Sequence, residues 1–165
     1  MAKQRNTNQR GTAPQETTPK RLVRFVGADT YFQTLAKYSN DAQVLQALRN
    51  FIAFKRDNPL QQAGGKDRPY IGSGPLAGYI HAGLTRDISI VYTISGRDPH
   101  VIKMFGIYTH ADTGTGTPGR PQLSKVMANS WAKQTNFKPI SQLDESRDSV
   151  PALPLLQELL EMVEL

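Results

Sequence analysis

Two of the three histidines stand in or beside strongly apolar segments, where a proton-exchanging side chain would be held in place. His81 lies in the segment GYIHAGL, and His110 directly follows the segment VIKMFGIYT. An imidazole has an ordinary pKa near 6.5, so it can take up or release a proton at neutral pH and act as a general acid or base. The third histidine, His100, follows Asp98-Pro99 in a predicted turn at the surface and is not a candidate.

Several polar side chains near these histidines could complete a site for a phosphate-containing polymer. Asp87 directly precedes the apolar segment ISIVYTIS and is a candidate catalytic acid, with the capping of a turn as its alternative role. The candidate phosphate-binding cations are Arg86, Lys103, Lys66, Arg68, Lys55 and Arg56. Tyr79 adds an aromatic ring that could stack on an unpaired base of RNA.

The charge of the chain is unevenly distributed and favours a polyanionic partner. The 165 residues carry a formal net charge of +6. Residues 1–24 contain six cations and one acid, whereas residues 144–165 contain six acids and one cation. Residues 25–143 contain 13 cations and 7 acids, and all 7 acids are aspartates. A basic domain with a basic arm is typical of proteins that bind nucleic acid, although solubility alone could explain the same charge.

Neither a metal ion nor a cofactor is predicted. His81, His110, Asp87 and Asp112 include suitable ligand types, but the chain has no close-spaced pair of the H-x-H or H-E-x-x-H kind. The glycine-rich segment TGTGTPG, residues 113–119, lacks the G-x-x-x-x-G-K-[ST] pattern of a phosphate-binding loop, so we interpret it as a flexible turn.

The patterning predicts a β-α-α-β-β-β order for the central part of the chain. The predicted strands cover residues 22–26, 76–84, 87–95 and 101–108, and the predicted helices cover residues 29–38, 42–56 and 122–133. Short connections between the last three strands favour an antiparallel sheet with helices packed on one face. The fold class is therefore α+β, with additional C-terminal helices.

Alternation along the strands predicts which side chains leave the helix-covered face. His81, Ser89 and Thr93 are expected on the open face of the sheet, and His110 at its edge. In the last strand, Val101, Lys103 and Phe105 are expected to oppose Ile102, Met104 and Tyr108. A bulge at Gly106 would change that alternation.

The chain divides into a central domain and polar or charged attachments. The predicted parts are a disordered basic arm at 1–19, a domain at 20–119, an added helix at 120–135, a linker at 136–154 and an acidic amphipathic helix at 155–165. The sequence has no cysteine, no secretory signal and no apolar run of about 20 residues, which favours a cytoplasmic protein without a membrane partner.

Two stretches of the sequence resemble the RelE superfamily of type II toxins, most closely the YafO type. The first is FIAFKRDNPL with the following GGKDRPY, where an aromatic-Lys-Arg-acid helix end precedes a Gly-basic-Asp-x-Pro-Tyr pattern. The second is YIHAGLTRDISIVYTISG with the later GIYTHADTGTG, in which Asp87, Tyr92 and His110 match the family pattern. Two features depart from it, because Ala82 and Gly83 separate His81 from Leu84, and Thr93 stands where relatives often have Arg.

The resemblance implies a ribosome-associated mRNA endoribonuclease that is made together with a cognate antitoxin protein. Its expected chemistry is metal-independent attack of a 2′-hydroxyl on the adjacent phosphate, with His81, His110 and Asp87 as the catalytic candidates. The alternative is a non-catalytic module of the same fold that binds RNA, the ribosome or a protein, as the replacement of Arg by Thr93 would suggest. The sequence predicts no oligomeric state.

Overall fold

The computed structural model describes residues 22–72 and 74–140. The predicted basic arm, the acidic helix at 155–165 and the linker beyond residue 140 lie outside the described residues. Within the described part of the chain, no helix is both long enough and apolar enough to cross a membrane.

The described residues form six strands and four helices in the order β-α-α-β-β-β-β-α-α-β. The strands are β1 (Val23–Gly27), β2 (Arg68–Pro69), β3 (Ile80–Gly83), β4 (Ile88–Ser95), β5 (His100–Thr109) and β6 (Lys138–Pro139). The helices are α1 (Asp29–Lys37), α2 (Ala42–Asp57), α3 (His110–Thr113) and α4 (Pro121–Ala132). The α+β class is confirmed, and the two-residue strand β2 was not predicted.

All six strands belong to one sheet with the order β2-β3-β4-β5-β1-β6. Strands β2 to β5 pair antiparallel, as expected from their short connections. Strand β1, however, pairs parallel with β5, so the prediction of an antiparallel sheet is wrong for this pair. The reason is that α1 and α2 lead the chain from β1 to the edge of the sheet formed by β2. Strands β2 to β5 then cross the sheet, and β5 lies beside β1 and runs in the same direction.

The first core lies between the sheet and the helices α1 and α2. Its buried members from the sheet include Phe25, Ile90 and Met104, and those from the helices include Leu35 and Leu48. Asp41 caps α2 by accepting a hydrogen bond from the N–H of Val44 at 3.1 Å, as its position before the helix predicts. The predicted apolar stripe of α2 is therefore the buried face.

A second core covers part of the opposite face of the sheet, which the sequence predicted to be open. Trp131 of α4 is 1% exposed and packs against Tyr79, Phe105 and Tyr108. The prediction that helices pack on one face only is therefore incomplete. The physical reason is that β5 is apolar on both faces, so its second face needs a cover as well.

A bulge in β5 decides which side chains reach this second face. Val91 of β4 pairs with Gly106, but the next residue of β4, Tyr92, pairs with Met104, so Phe105 is the additional residue. Tyr108 is consequently on the same face as Phe105, and its predicted place beside Met104 is wrong. A Cβ atom at Gly106 would lie 2.5 Å from the Tyr108 ring, which explains the glycine.

Two threonines of α1 hydrogen bond to the backbone at the bulge. Thr30 Oγ1 donates to the carbonyl of Phe105 at 2.5 Å, and Thr34 Oγ1 accepts from the N–H of Ile107 at 2.9 Å. A bulge interrupts the pairing between strands, and buried backbone groups need other partners. Helix α1 thus fixes the conformation of β5 at the point where the strand turns Tyr108 towards the second face.

The structure changes two predicted boundaries. The strand predicted at 76–84 begins only at Ile80, because residues 74–79 form turns in which Gly78 has a φ of +93°. Residues 136–140, predicted as the start of a linker, instead pack on the domain. Lys138 pairs with Gly27, and the N–H of buried Ile140 donates to the carbonyl of Phe25 at 2.8 Å.

Candidate functional site

A concave site of about 230 Å³ opens on the second face of the sheet, beside the part that α4 covers. Its floor comes from β3, β4 and the end of β5, and its walls come from β2 and the segment after β5. The lining residues are Arg68, Tyr70, Ile71, His81, Ser89, Val91, Tyr108, Thr109, His110, Thr113 and Thr115. The structure therefore brings the two predicted histidines, His81 and His110, into one cavity.

The antiparallel pairing of β2 with β3 places a cation beside the first histidine. Arg68 is the register partner of His81, and Pro69 is the partner of Ile80. Directly opposite residues on one face of an antiparallel pair have neighbouring side chains. Of the predicted phosphate-binding cations, Arg68 is the one that lines the cavity with the histidines.

The surroundings of His81 favour its neutral form. Burial, then the positive charge of Arg68 and then His110 lower its pKa below 6.5, although Asp67 acts in the opposite direction. The ring of Tyr70 stacks on the imidazole, with centroids 4.4 Å apart and planes inclined by 34°. The Tyr70 ring therefore supports one face of the His81 imidazole. The lowered pKa leaves His81 unprotonated at neutral pH, which is the state of a general base.

The hydroxyl of Tyr70 stays protonated under physiological conditions. Burial raises the pKa of Tyr70 to about 12, although a hydrogen bond with Thr113 opposes the shift. Tyr70 therefore contributes a hydrogen-bond donor and a ring, and no charge, to the wall of the cavity.

His110 is exposed, but the backbone that carries it is fixed. It is the first residue of α3, whose start is a capping box between Thr109 and Asp112. Thr109 Oγ1 accepts from the N–H of Asp112 at 3.2 Å, and the Asp112 carboxylate accepts from the N–H of Thr109 at 2.9 Å. This reciprocal pair uses Asp112, one of the residues weighed as a metal ligand, as a structural cap.

The turn after α3 is closed by a glycine and by α4. Gly114 has a φ of +70°, and a Cβ atom there would lie 2.2 Å from the carbonyl oxygen of Arg120. Ser124 of α4 donates to the carbonyl of Thr113 at 2.6 Å. The segment TGTGTPG is thus a turn, as predicted, but it is held by hydrogen bonds and joins the histidine cavity to α4, whereas the sequence interpretation was a flexible turn.

Three predicted site residues lie outside the cavity, at the turn between β3 and β4. Asp87 and Arg86 are exposed in this turn, and neither lines the cavity. Lys66 is also exposed, and its Nζ donates to the backbone carbonyl of Arg86 at 3.3 Å. The geometry gives Asp87 no catalytic contact with the two histidines, while the two cations lie on an exposed edge that long RNA could follow.

Lys55 is buried, so its predicted role in phosphate binding is wrong. Its side chain is 3% exposed, and Nζ lies 2.7 Å from the Asp67 carboxylate, which is also 3% exposed. The i, i+3, i+4 spacing of α2 places Lys55 on the buried stripe beside Phe51 and Ile52, which the predicted cationic role overlooked. The adjacent Arg56 is partly exposed and lies 3.9 Å from the Asp57 carboxylate.

Lys103 and Tyr79 occupy the second face at a distance from the histidines. Lys103 pairs with Thr93, four residues along β4 from Ser89 at the cavity, which corresponds to about 13 Å. Its ammonium group lies 4.8 Å from the centre of the Phe137 ring. Tyr79 packs its ring against Trp131 at 4.8 Å, so it belongs to the second core and is only partly exposed.

The sequence interpretation missed Tyr70 and Tyr108 as parts of the site. Tyr70 ends the segment GGKDRPY, whose one signal in the sequence is the family resemblance. Tyr108 was assigned to the wrong face because of the bulge. His100, predicted to be exposed, is buried, and its Nδ1 lies 2.8 Å from the Gly96 carbonyl oxygen. Across residues 22–72 and 74–140, no three histidine, aspartate or glutamate side chains are grouped as metal ligands would be.

Comparison with solved structures returns toxins of toxin–antitoxin systems. A YoeB/ParE toxin from Agrobacterium tumefaciens aligns with a TM-score of 0.46 and 20% identity, over 53% of this chain and 98% of that one. A mutant of YafQ from E. coli aligns with a TM-score of 0.43 and 20% identity, over 55% and 94%. The E. coli DinJ–YafQ toxin–antitoxin complex gives a TM-score of 0.43 and 20% identity, over 56% and 94%.

No protein-family model matches the sequence, and no curated protein matches it at a significant level. The structures named above are YoeB/ParE and YafQ toxins, so the YafO subtype stays a prediction from the sequence.

Proposed function

We propose that this protein is an endoribonuclease toxin that cuts mRNA at the ribosome by attack of a 2′-hydroxyl on the adjacent phosphate. The observation that carries the proposal is the single cavity that holds His81, His110 and Arg68. These residues come from three segments of the chain, and their types match a general base, a general acid and a phosphate-binding cation.

The reaction assigns one role to each of the three side chains. His81 takes the proton from the 2′-hydroxyl, whose oxygen then bonds to phosphorus as the bond from phosphorus to the 5′-oxygen breaks. His110, in its protonated form, gives a proton to the leaving 5′-oxygen. The products are a 2′,3′-cyclic phosphate and a free 5′-hydroxyl, so protons and bonds balance without a metal ion.

Arg68 would stabilise the additional negative charge that develops on the phosphate oxygens in the transition state. The family resemblance leads one to expect a cation after Tyr92, where this chain has Thr93. Arg68 supplies a cation from another strand, because β2 lies beside β3 at the edge of the cavity. The departure at Thr93 therefore does not by itself argue against cleavage.

The expected partners are mRNA, the ribosome and a cognate antitoxin protein. The exposed cations Lys66 and Arg86 would extend the positive surface from Arg68 along the RNA backbone. An antitoxin would have to cover a basic surface, so we expect a small acidic protein encoded by a neighbouring reading frame. Co-purification of that protein with this chain would test the partnership.

Cleavage of a short RNA by the purified protein, with and without ribosomes, tests the activity. We expect cyclic-phosphate products by mass spectrometry, and none from a substrate with a 2′-deoxy sugar at the cleaved position. His81→Ala and His110→Ala should each lower kcat by about 10²–10⁴-fold. Arg24→Gln, which removes an exposed cation from β1, is the matched control and should leave kcat unchanged.

The rival function is a module of the same fold that binds RNA, the ribosome or a protein without cutting RNA. Induction in bacteria distinguishes the two. Endoribonuclease activity predicts growth arrest with mRNA cleavage that either histidine substitution relieves. Arrest that persists in the His81→Ala, His110→Ala double variant, without mRNA cleavage, would instead support binding alone.

A further inference from the structure

One buried cluster joins α2, the segment before β2, and β4. Its centre is Asp67, whose carboxylate lies 2.7 Å from Lys55 Nζ and accepts a hydrogen bond from Tyr92 Oη at 2.5 Å. The same carboxylate accepts from the N–H of Ala63 at 2.7 Å, and Lys55 Nζ also donates to the carbonyl of Gln61. We call Lys55, Asp67 and Tyr92 the Asp67 cluster.

The cluster satisfies each of its charged and polar members. The Lys55 ammonium is paired with the carboxylate and lies 5.4 Å from the centre of the Tyr92 ring. Burial, together with the hydrogen bond to Asp67, raises the pKa of Tyr92, so its hydroxyl remains a donor. A buried ion pair with this many partners has one arrangement, because leaving any member unpaired is costly.

The cluster stands directly beside β2, one of the two shortest strands of the sheet. Strand β2 has two residues, and its second residue, Pro69, has no N–H to donate to a neighbouring strand. Directly after β2 in the chain, the N–H of Tyr70 donates a hydrogen bond to the carbonyl of Tyr79 at 3.1 Å. With so little pairing of its own, β2 depends on the anchored residue that precedes it, and that residue is Asp67.

We infer that Asp67 is a positioning residue, through which the Asp67 cluster sets the place of Arg68 opposite His81. Arg68 follows Asp67 directly in the chain, so a change in the backbone position of Asp67 also moves the backbone of Arg68. The consequence for RNA cleavage rests on the proposed function. The consequence for His81 does not, because Arg68 acts on the charge of His81 whether or not RNA is cut.

The substitution Tyr92→Phe tests the inference with little change in volume. It removes one hydrogen bond from Asp67 but keeps the carboxylate charge, which itself acts on His81. An NMR titration of His81 in the full chain should then give a pKa above that of the native protein, because Arg68 moves away. Tyr38→Phe, at the end of α1, is the matched control and should leave the titration of His81 unchanged.

A second background separates positioning from general destabilisation. In Arg68→Gln the cation is already absent, so adding Tyr92→Phe should not raise the pKa of His81 further. The same comparison of two backgrounds applies to kcat/KM. We expect Tyr92→Phe to lower kcat/KM by about 10- to 100-fold in the native background and to change it little in Arg68→Gln. A purely structural hydrogen bond would have the same effect in both backgrounds.

Two results would overturn the inference. One is an unchanged titration of His81 in Tyr92→Phe, and the other is a shift of equal size in Arg68→Gln. Should the protein prove inactive towards RNA, the titration still decides the matter, so the two proposals fail separately. Asp67→Asn, titrated in both Arg68 backgrounds, serves as the second variant if Tyr92→Phe does not fold.

Discussion

Arg68 and His81 are register partners across the β2–β3 pair, and both side chains line the same cavity. This relationship places a fixed positive charge beside a titratable group on the neighbouring strand. It makes His81 an internal reporter of the site, because its protonation responds to the position of Arg68. The first two predictions use this response.

Removal of the Arg68 charge should raise the pKa of His81. The charge of Arg68 is one of the causes that lower this pKa, so Arg68→Gln should move it towards 6.5 without reaching that value, because burial still opposes protonation. NMR titration of the imidazole measures the shift. Arg24→Gln removes an equal charge from β1 and should give the native titration curve. Identical titration curves of His81 in Arg68→Gln and in the native protein would contradict the placement of Arg68 beside His81.

The rate of RNA cleavage should fall as the pH decreases through the pKa of His81. A general base must be neutral to accept a proton, and burial keeps His81 neutral to a pH below 6.5. The acidic limb of the profile of kcat/KM against pH should therefore have its midpoint below 6.5. Arg68→Gln should lower the maximum and move this midpoint to higher pH. If the acidic limb does not move in Arg68→Gln, the titration of His81 is not its cause.

Thr34→Val should destabilise the protein through the bulge of β5. The hydroxyl of Thr34, a residue 7% exposed, accepts from the buried N–H of Ile107, and valine keeps the volume but not the acceptor. An unsatisfied buried donor costs about 1–3 kcal/mol in the free energy of unfolding, which urea denaturation measures. Thr93→Val on β4 is the control, since its side chain makes no hydrogen bond within residues 22–72 and 74–140. A loss of equal size in both variants would exclude the bulge as the cause.

Gly106→Ala should disturb the second core, and the fluorescence of the single tryptophan, Trp131, should change as a result. The new methyl group would meet the Tyr108 ring, whose hydroxyl accepts from Trp131 Nε1 at 3.1 Å. We expect a shift in the fluorescence of Trp131 and a loss of about 1–3 kcal/mol in the free energy of unfolding. Gly65→Ala is the control, because no atom lies within 4 Å of a Cβ atom built there. Native fluorescence in Gly106→Ala would show that Tyr108 does not press on this glycine.

Lys55→Met should cost more than any surface substitution of a lysine. Methionine retains much of the volume but leaves the Asp67 carboxylate buried without its cation. Breaking a buried pair in this way costs about 3–5 kcal/mol, which chemical denaturation would detect. Lys125→Met on the exposed side of α4 should change the free energy of unfolding by less than about 0.5 kcal/mol. Similar losses in both variants would mean that the Lys55–Asp67 pair contributes little.

Local sequence patterns determined most of the secondary structure of this chain. The apolar stripe of α2, its Asp41 cap, the alternation of β3 and β4, and α4 all follow from contacts between near neighbours in sequence. The same alternation correctly predicted that His81 and Ser89 leave the helix-covered face, and both line the cavity. These features could be predicted because each depends on spacings of two to four residues.

Features that depend on distant partners could not be predicted in this way. The parallel pairing of β1 with β5, the cover provided by Trp131 and the phase change at the β5 bulge all join residues far apart in the chain. The bulge alone reverses the face of Tyr108, because one additional residue shifts every later side chain of a strand.

The sequence by itself therefore determined the two candidate histidines and the elements that carry them. Only the tertiary structure decided which cation joins them, because every Lys or Arg near these elements looks equivalent in a linear pattern. Lys55 is buried and therefore cannot contact RNA, whereas the pairing of β2 with β3 places Arg68 beside His81. Both outcomes depend on the contact of Asp67 with α2 and β4, an interaction that has no local signal in the sequence.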